Sequence, residues 1–102
     1  MIDHVAIQVK SIDESVGWYT SRFGGKILHQ DKTWAMIDLG NVKLALTIAS
    51  QHPPHIAITV DSISGFPGPL GKISTHRDGS LFMYEEDPAG NTVEYIHYPD
   101  QT

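Results

Sequence analysis

Residues 2–9 read Ile-Asp-His-Val-Ala-Ile-Gln-Val and predict a strand. Val5, Ile7 and Val9 share one face, which is purely apolar and calls for a helix packed on it. His4, Ala6 and Gln8 share the other, a mixture of small and polar groups that suits a cavity wall. Ser11-Ile12-Asp13-Glu14 has the Ser-x-x-Glu form of a capping box and opens a helix. Ile12, Val16, Tyr19 and Phe23 recur along it at helical spacing as one apolar face, and Gly24-Gly25 stops it. Three strands follow, near 26–31, 33–38 and 42–48, with turns at Asp31-Lys32 and Gly40-Asn41. The order is β-α-β-β-β.

The chain then repeats itself. His4-Val5-Ala6-Ile7-Gln8-Val9-Lys10-Ser11-Ile12 lies on His55-Ile56-Ala57-Ile58-Thr59-Val60-Asp61-Ser62-Ile63 at an offset of 51, half of the 102 residues. Six of the nine positions are identical. His29-Gln30-Asp31 echoes His76-Arg77-Asp78, and Gly40-Asn41 echoes Gly90-Asn91, in the same order along the chain. Two related modules are therefore expected within a single domain over 1–102, one over about 1–51 and one over about 52–102. The second has strands near 55–60, 72–77, 80–85 and 92–98. Its helix is compromised, because Ser64-Gly65-Phe66-Pro67-Gly68-Pro69 cannot sustain regular hydrogen bonding, and a loop or single turn is expected there. Ile56, Ile58 and Val60 then lose helical cover, and the apolar surface left behind suggests a homodimer. The fold class is α+β.

Composition narrows the chemistry. Twelve acids against 7 bases give a net charge of −5, with no basic stripe for nucleic acid. No apolar run is long enough for a transmembrane helix, so no membrane partner is expected. Met1-Ile2-Asp3-His4 lacks the layout of a secretory signal, which makes the cytoplasm the default expectation. Cysteine is absent, so a metal site must draw on His, carboxylate or amide ligands, and there are six histidines.

His4 and His55 occupy equivalent repeat positions. A pseudo-twofold duplication brings equivalent strands together near its axis, within the chain or through a partner, and turns both imidazoles to one pocket. Glu94, on the last strand, is costly to bury unless it is paired or bound to a cation. Two imidazoles and a carboxylate suit a divalent ion such as iron(II), manganese, zinc, nickel or cobalt, with positions left for substrate. The same residues have a plainer reading, with the histidines as buried structural groups and Glu94 paired with Arg77 or a histidine. Gln8 and Thr59, at matching repeat positions, and Tyr98, on the Glu94 face, are expected as pocket walls. His76, Glu85 and Glu86 are further acid–base candidates. His76 corresponds to His29, however, and both read first as strand ends. No general base is assigned.

These motifs resemble the vicinal oxygen chelate superfamily, which includes glyoxalase I, methylmalonyl-CoA epimerase, fosfomycin-resistance enzymes, extradiol dioxygenases and bleomycin-resistance proteins. The matching segments are Ile2-Asp3-His4-Val5-Ala6-Ile7, Trp18-Tyr19, Phe23-Gly24-Gly25, His55-Ile56-Ala57-Ile58 and Asp87-Pro88-Ala89-Gly90-Asn91-Thr92-Val93-Glu94. The resemblance implies paired β-α-β-β-β modules forming an incomplete barrel, with His4, His55 and Glu94 as metal ligands. Glyoxalase I and the epimerase carry a fourth ligand on the last strand of the first half. Ala45 is the best-aligned position here, and a slip of one residue offers only Leu44 or Leu46. The three-ligand pattern is closer to fosfomycin-resistance enzymes and extradiol dioxygenases. The resemblance thus implies a metal-dependent lyase or isomerase, or an iron-dependent ring-cleaving dioxygenase. The alternative is a metal-free dimer that binds a drug or metabolite, as bleomycin-resistance proteins do. A duplicate retained only for assembly is a third reading.

Overall fold

The two strands that carry the repeat, β1 (Ile2–Gln8) and β5 (His55–Thr59), lie side by side and antiparallel. A computed structural model of the chain describes residues 1–50, 52–68 and 72–99. Val5 stands opposite Ile56, its own equivalent at the offset of 51, so the pseudo-twofold axis passes through this pair. His4 faces Ala57 and Ala6 faces His55, as that axis requires. The modules thus pair within one chain.

Around this centre the halves repeat. The first continues through α1 (Ile12–Phe23), β2 (Lys26–Gln30), β3 (Trp34–Asp38) and β4 (Lys43–Thr47). The second continues through β6 (Ser74–Thr75), β7 (Leu81–Glu86) and β8 (Thr92–His97). β4 runs parallel to β1, and β8 runs parallel to β5. The described residues form one open eight-stranded sheet in the order β2-β3-β4-β1-β5-β8-β7-β6. The α+β architecture of paired modules is the expected one, and the sheet remains open rather than closing into a barrel.

Local chemistry sets the elements. Ser11 Oγ accepts from the Glu14 N–H at 3.3 Å and caps α1. Gly24 ends the helix at φ 72°, its N–H donating to the Thr20 carbonyl. Gly25 follows at φ 97°, and a Cβ there would stand 2.9 Å from the Asp38 carbonyl oxygen, so both conformation and space demand glycine. Ile12 and Val16 pack on Ala35, Ile37, Leu44 and Leu46, with Ile7, Val9 and Tyr19 at the margin. The expected helical face therefore holds through Tyr19 but not at its end. Phe23, the last residue of the helix, is 61% exposed, with its ring next to Trp18 and Tyr19 rather than in the core cluster.

In the second half, among the described residues, a 3-10 turn over Ile63–Gly65 stands where the first half has α1. Phe66, just after it, is buried, and Gly65 lies so near Val60 that a Cβ would come within 2.8 Å. The turn thus covers part of the sheet, while Ile56 stays 44% exposed. The expected loop runs on to Pro69, which falls outside the described residues. The strand expected over 72–77 contracts to Ser74–Thr75, the outer edge of the sheet, and the chain turns at His76–Ser80.

Candidate metal centre

One irregularity in β1 shapes the site. Ile2 pairs with Ile58 and His4 with Ala57, which leaves Asp3 as an extra residue with no partner on β5. A bulge of this kind breaks the alternation of side chains. Asp3 therefore reaches its neighbour, and the His4 Nδ1–H donates to Asp3 Oδ2 at 2.7 Å. His55 is held differently, its Nδ1–H donating to the Pro53 carbonyl at 2.8 Å. Each contact fixes the proton on Nδ1 and turns Nε2 inward.

Sheet register then brings the three candidate residues together. His4, Ala57 and Glu94 lie in one row across β1, β5 and β8. Ala57, fully buried between the other two, leaves room above its methyl for an imidazole and a carboxylate to meet. The two Nε2 atoms are 3.2 Å apart. Glu94 Oε1 is 3.3 Å from that of His4 and 3.1 Å from that of His55. All three residues are buried, Glu94 at 2% exposure. No other group of three or more His, Asp or Glu residues among those described converges in this way.

This donor set fits a divalent cation. Metal bonds of about 2.1 Å span donor–donor edges of about 3.0 Å at right angles and about 3.4 Å at tetrahedral angles. The three edges, 3.2, 3.3 and 3.1 Å, fall between these limits. The axis that relates His4 to His55 also relates Glu94, beside Ala57, to Ala45, beside Ala6. Ala45 offers no donor, so the set stops at three.

The charges are coupled. Burial disfavours a charged His4, but hydrogen bonds to Asp3 and Glu94 outweigh it and raise its pKa to about 9. Burial likewise opposes the Glu94 carboxylate, yet His4, His55 and His76 hold it well below the usual range. Asp3 is also lowered, against its own burial, by His4, Lys43 and Tyr98.

The remaining expected residues are placed as follows. Tyr98 donates to Asp3 Oδ2 at 3.0 Å and so stands behind His4. Gln8 donates to the His52 carbonyl at 3.1 Å, and the Thr59 hydroxyl to the Met1 carbonyl at 3.1 Å. Thr59 lines a cleft of about 540 Å³ with Met1, Val60 and Asp61, whose lining does not include His4, His55 or Glu94. Glu85 accepts from the Tyr95 hydroxyl at 2.7 Å, and Glu86 is exposed on β7.

Two residues beside the trio, Asp3 and Tyr84, escaped sequence reasoning, and a third, His76, is expected only as an acid–base candidate that reads first as a strand end. Asp3 escaped it because strict alternation puts it on the opposite face. His76, read first as a strand end, donates through Nε2 to Glu94 Oε2 at 2.8 Å. Tyr84 pairs with Glu94 across β7 and β8, and its ring stands edge-on to His55. Burial and the Glu94 charge push its hydroxyl up to about 12. Its place ten residues before Glu94 across a hairpin was the available signal.

Residues 1–66 match the family model of the Glyoxalase/Bleomycin resistance protein/Dioxygenase superfamily. No curated protein sequence matches the chain significantly. A superfamily member from Vibrio splendidus 12B01 superposes with a TM-score of 0.70 at 10% identity, covering 96% of this chain and all of that one. Streptomyces coelicolor methylmalonyl-CoA epimerase, in complex with 2-nitronate-propionyl-CoA, superposes at 0.70 and 18% identity, covering 96% of each chain. The Mn(II)-bound glyoxalase from Novosphingobium aromaticivorans also gives 0.70 at 18%, covering 94% of this chain but 37% of its own. At such identities the likeness is one of fold.

Proposed function

This chain belongs to the glyoxalase/bleomycin resistance protein/dioxygenase superfamily, and from that premise we propose that it is a divalent-metal-dependent enzyme acting on a small molecule with two neighbouring oxygens. The observation that carries this reading is the triangle of His4 Nε2, His55 Nε2 and Glu94 Oε1, with edges of 3.1 to 3.3 Å and both imidazole tautomers fixed from behind. A divalent ion held there supplies Lewis acidity, stabilising negative charge as it develops on the paired oxygens. His4, His55 and Glu94 hold the ion. Asp3 and the Pro53 carbonyl aim the two imidazoles. Tyr84, 37% exposed and protonated at neutral pH, offers a hydrogen-bond donor at the rim. Tyr98 serves Asp3 and so belongs to the support of the site.

Elemental analysis of untagged protein tests the reading. About one divalent ion per chain, lost in His4→Ala and Glu94→Ala, supports it. Metal-free protein that still binds ligands tightly overturns it. Two chemistries remain within it, a lyase or isomerase and an iron-dependent ring-cleaving dioxygenase. Oxygen uptake with catechols after anaerobic iron loading separates them. The second reading is a metal-free dimer that binds a drug or metabolite; it is favoured by the exposed Ile56 on the helix-poor face.

A further inference from the structure

The two oxygens of Glu94 have different partners. Oε1 faces the Nε2 atoms of His4 and His55, whereas Oε2 accepts from His76 Nε2 at 2.8 Å. A carboxylate beside a cation can donate one oxygen or both. From this division we propose that His76 is a positioning residue that confines Glu94 to a single coordinating oxygen. A six-coordinate ion held by these three residues would keep three positions free, enough for a substrate's paired oxygens and one further small ligand. The proposal rests on the metal-dependent reading above.

His76 is well anchored for this task. Its ring stacks on Phe82 at 3.7 Å and 10°. Its backbone N–H donates to the Ser80 carbonyl at 2.8 Å. Asp78 in turn holds Ser80 by both its N–H and its hydroxyl. Turning Oε2 inward would break the 2.8 Å bond that His76 makes to a carboxylate only 2% exposed.

The first module serves as an internal control. His29 stacks on Trp34 at 3.9 Å, as His76 stacks on Phe82. Ala45 occupies the place of Glu94 there, however, and His29 bonds to Asp31 at 2.9 Å instead. The stacked histidine thus belongs to both modules, and its grip on a buried carboxylate belongs only to the module that has one.

Water-proton relaxation of the Mn(II)-loaded protein tests this, because the enhancement scales with the number of coordinated waters. Wild type and His76→Gln, which keeps a donor of similar reach, should give equal enhancement. His76→Ala and His76→Leu should each lose roughly a third of it, as Oε2 displaces one of three waters on an octahedral ion; the leucine preserves apolar packing on Phe82 should the alanine variant misfold. Equal enhancement in a folded variant lacking the donor overturns the proposal and leaves the metal-dependent reading intact. Absence of Mn(II) uptake by wild type, read by electron paramagnetic resonance, overturns both.

Discussion

Replacing Asp3 by Asn keeps an acceptor beside His4 Nδ1 but removes its charge. Such contacts behind a metal-bound histidine are worth roughly 10- to 100-fold in affinity. Asp3→Asn should weaken Mn(II) or Zn(II) binding by that order in a competition titration with a chelator. The same pairing predicts a pH dependence. The pKa of His4 is raised from 6.5 to about 9 in the folded, metal-free protein. The stabilisation is thus complete below 6.5 and disappears as pH rises through about 9, on the order of 3 kcal/mol at most. Urea midpoints of metal-free protein should fall across that window. Metal binding within it should release a proton, measurable by calorimetry in buffers of different ionisation enthalpy. The convergence of His4, His55 and Glu94 is legible in the sequence because each sits in a period-two strand and the repeat aligns two of them. Asp3 is not, since a bulge depends on pairing with a strand more than fifty residues away. His76 is legible only as an acid–base candidate, since its equivalence to His29 suggests a shared structural task and conceals its partner, Glu94.

Between the ligand strands, the small residues matter as much as the large. Ala57 is fully buried beneath the meeting point of His4 and Glu94. Ala57→Leu should cost about 1–3 kcal/mol by overpacking. It should also abolish metal uptake, which equilibrium dialysis with Zn(II) reads directly. Binding retained at wild-type affinity would show that the donors meet elsewhere. The elements themselves are readable where chemistry is local. Ser11 with Glu14 announces α1, and the proline- and glycine-rich run after Ile63 announces a turn in place of a helix. The shortness of β6 is unreadable, because Ser74 and Thr75 pair only with β7 at the edge of the sheet, and that neighbour sets where pairing stops.

Across the whole molecule, loss of the second helix leaves Ile56 exposed on the face opposite the ligands. The proposed homodimer would cover it, and sedimentation equilibrium should then give twice the chain mass, with Ile56→Lys shifting the balance to monomer. A monomer at all concentrations removes the dimer without touching the metal site. The pseudo-twofold axis passes through Val5 and Ile56. A cradle built on true twofold symmetry accepts a guest in two interchangeable poses. Here one end of the cradle carries the Glu94 carboxylate and the other only the Ala45 methyl, so the two poses differ in energy. A guest with unlike ends would therefore enter one way round, and a single acid makes the palindromic scaffold directional.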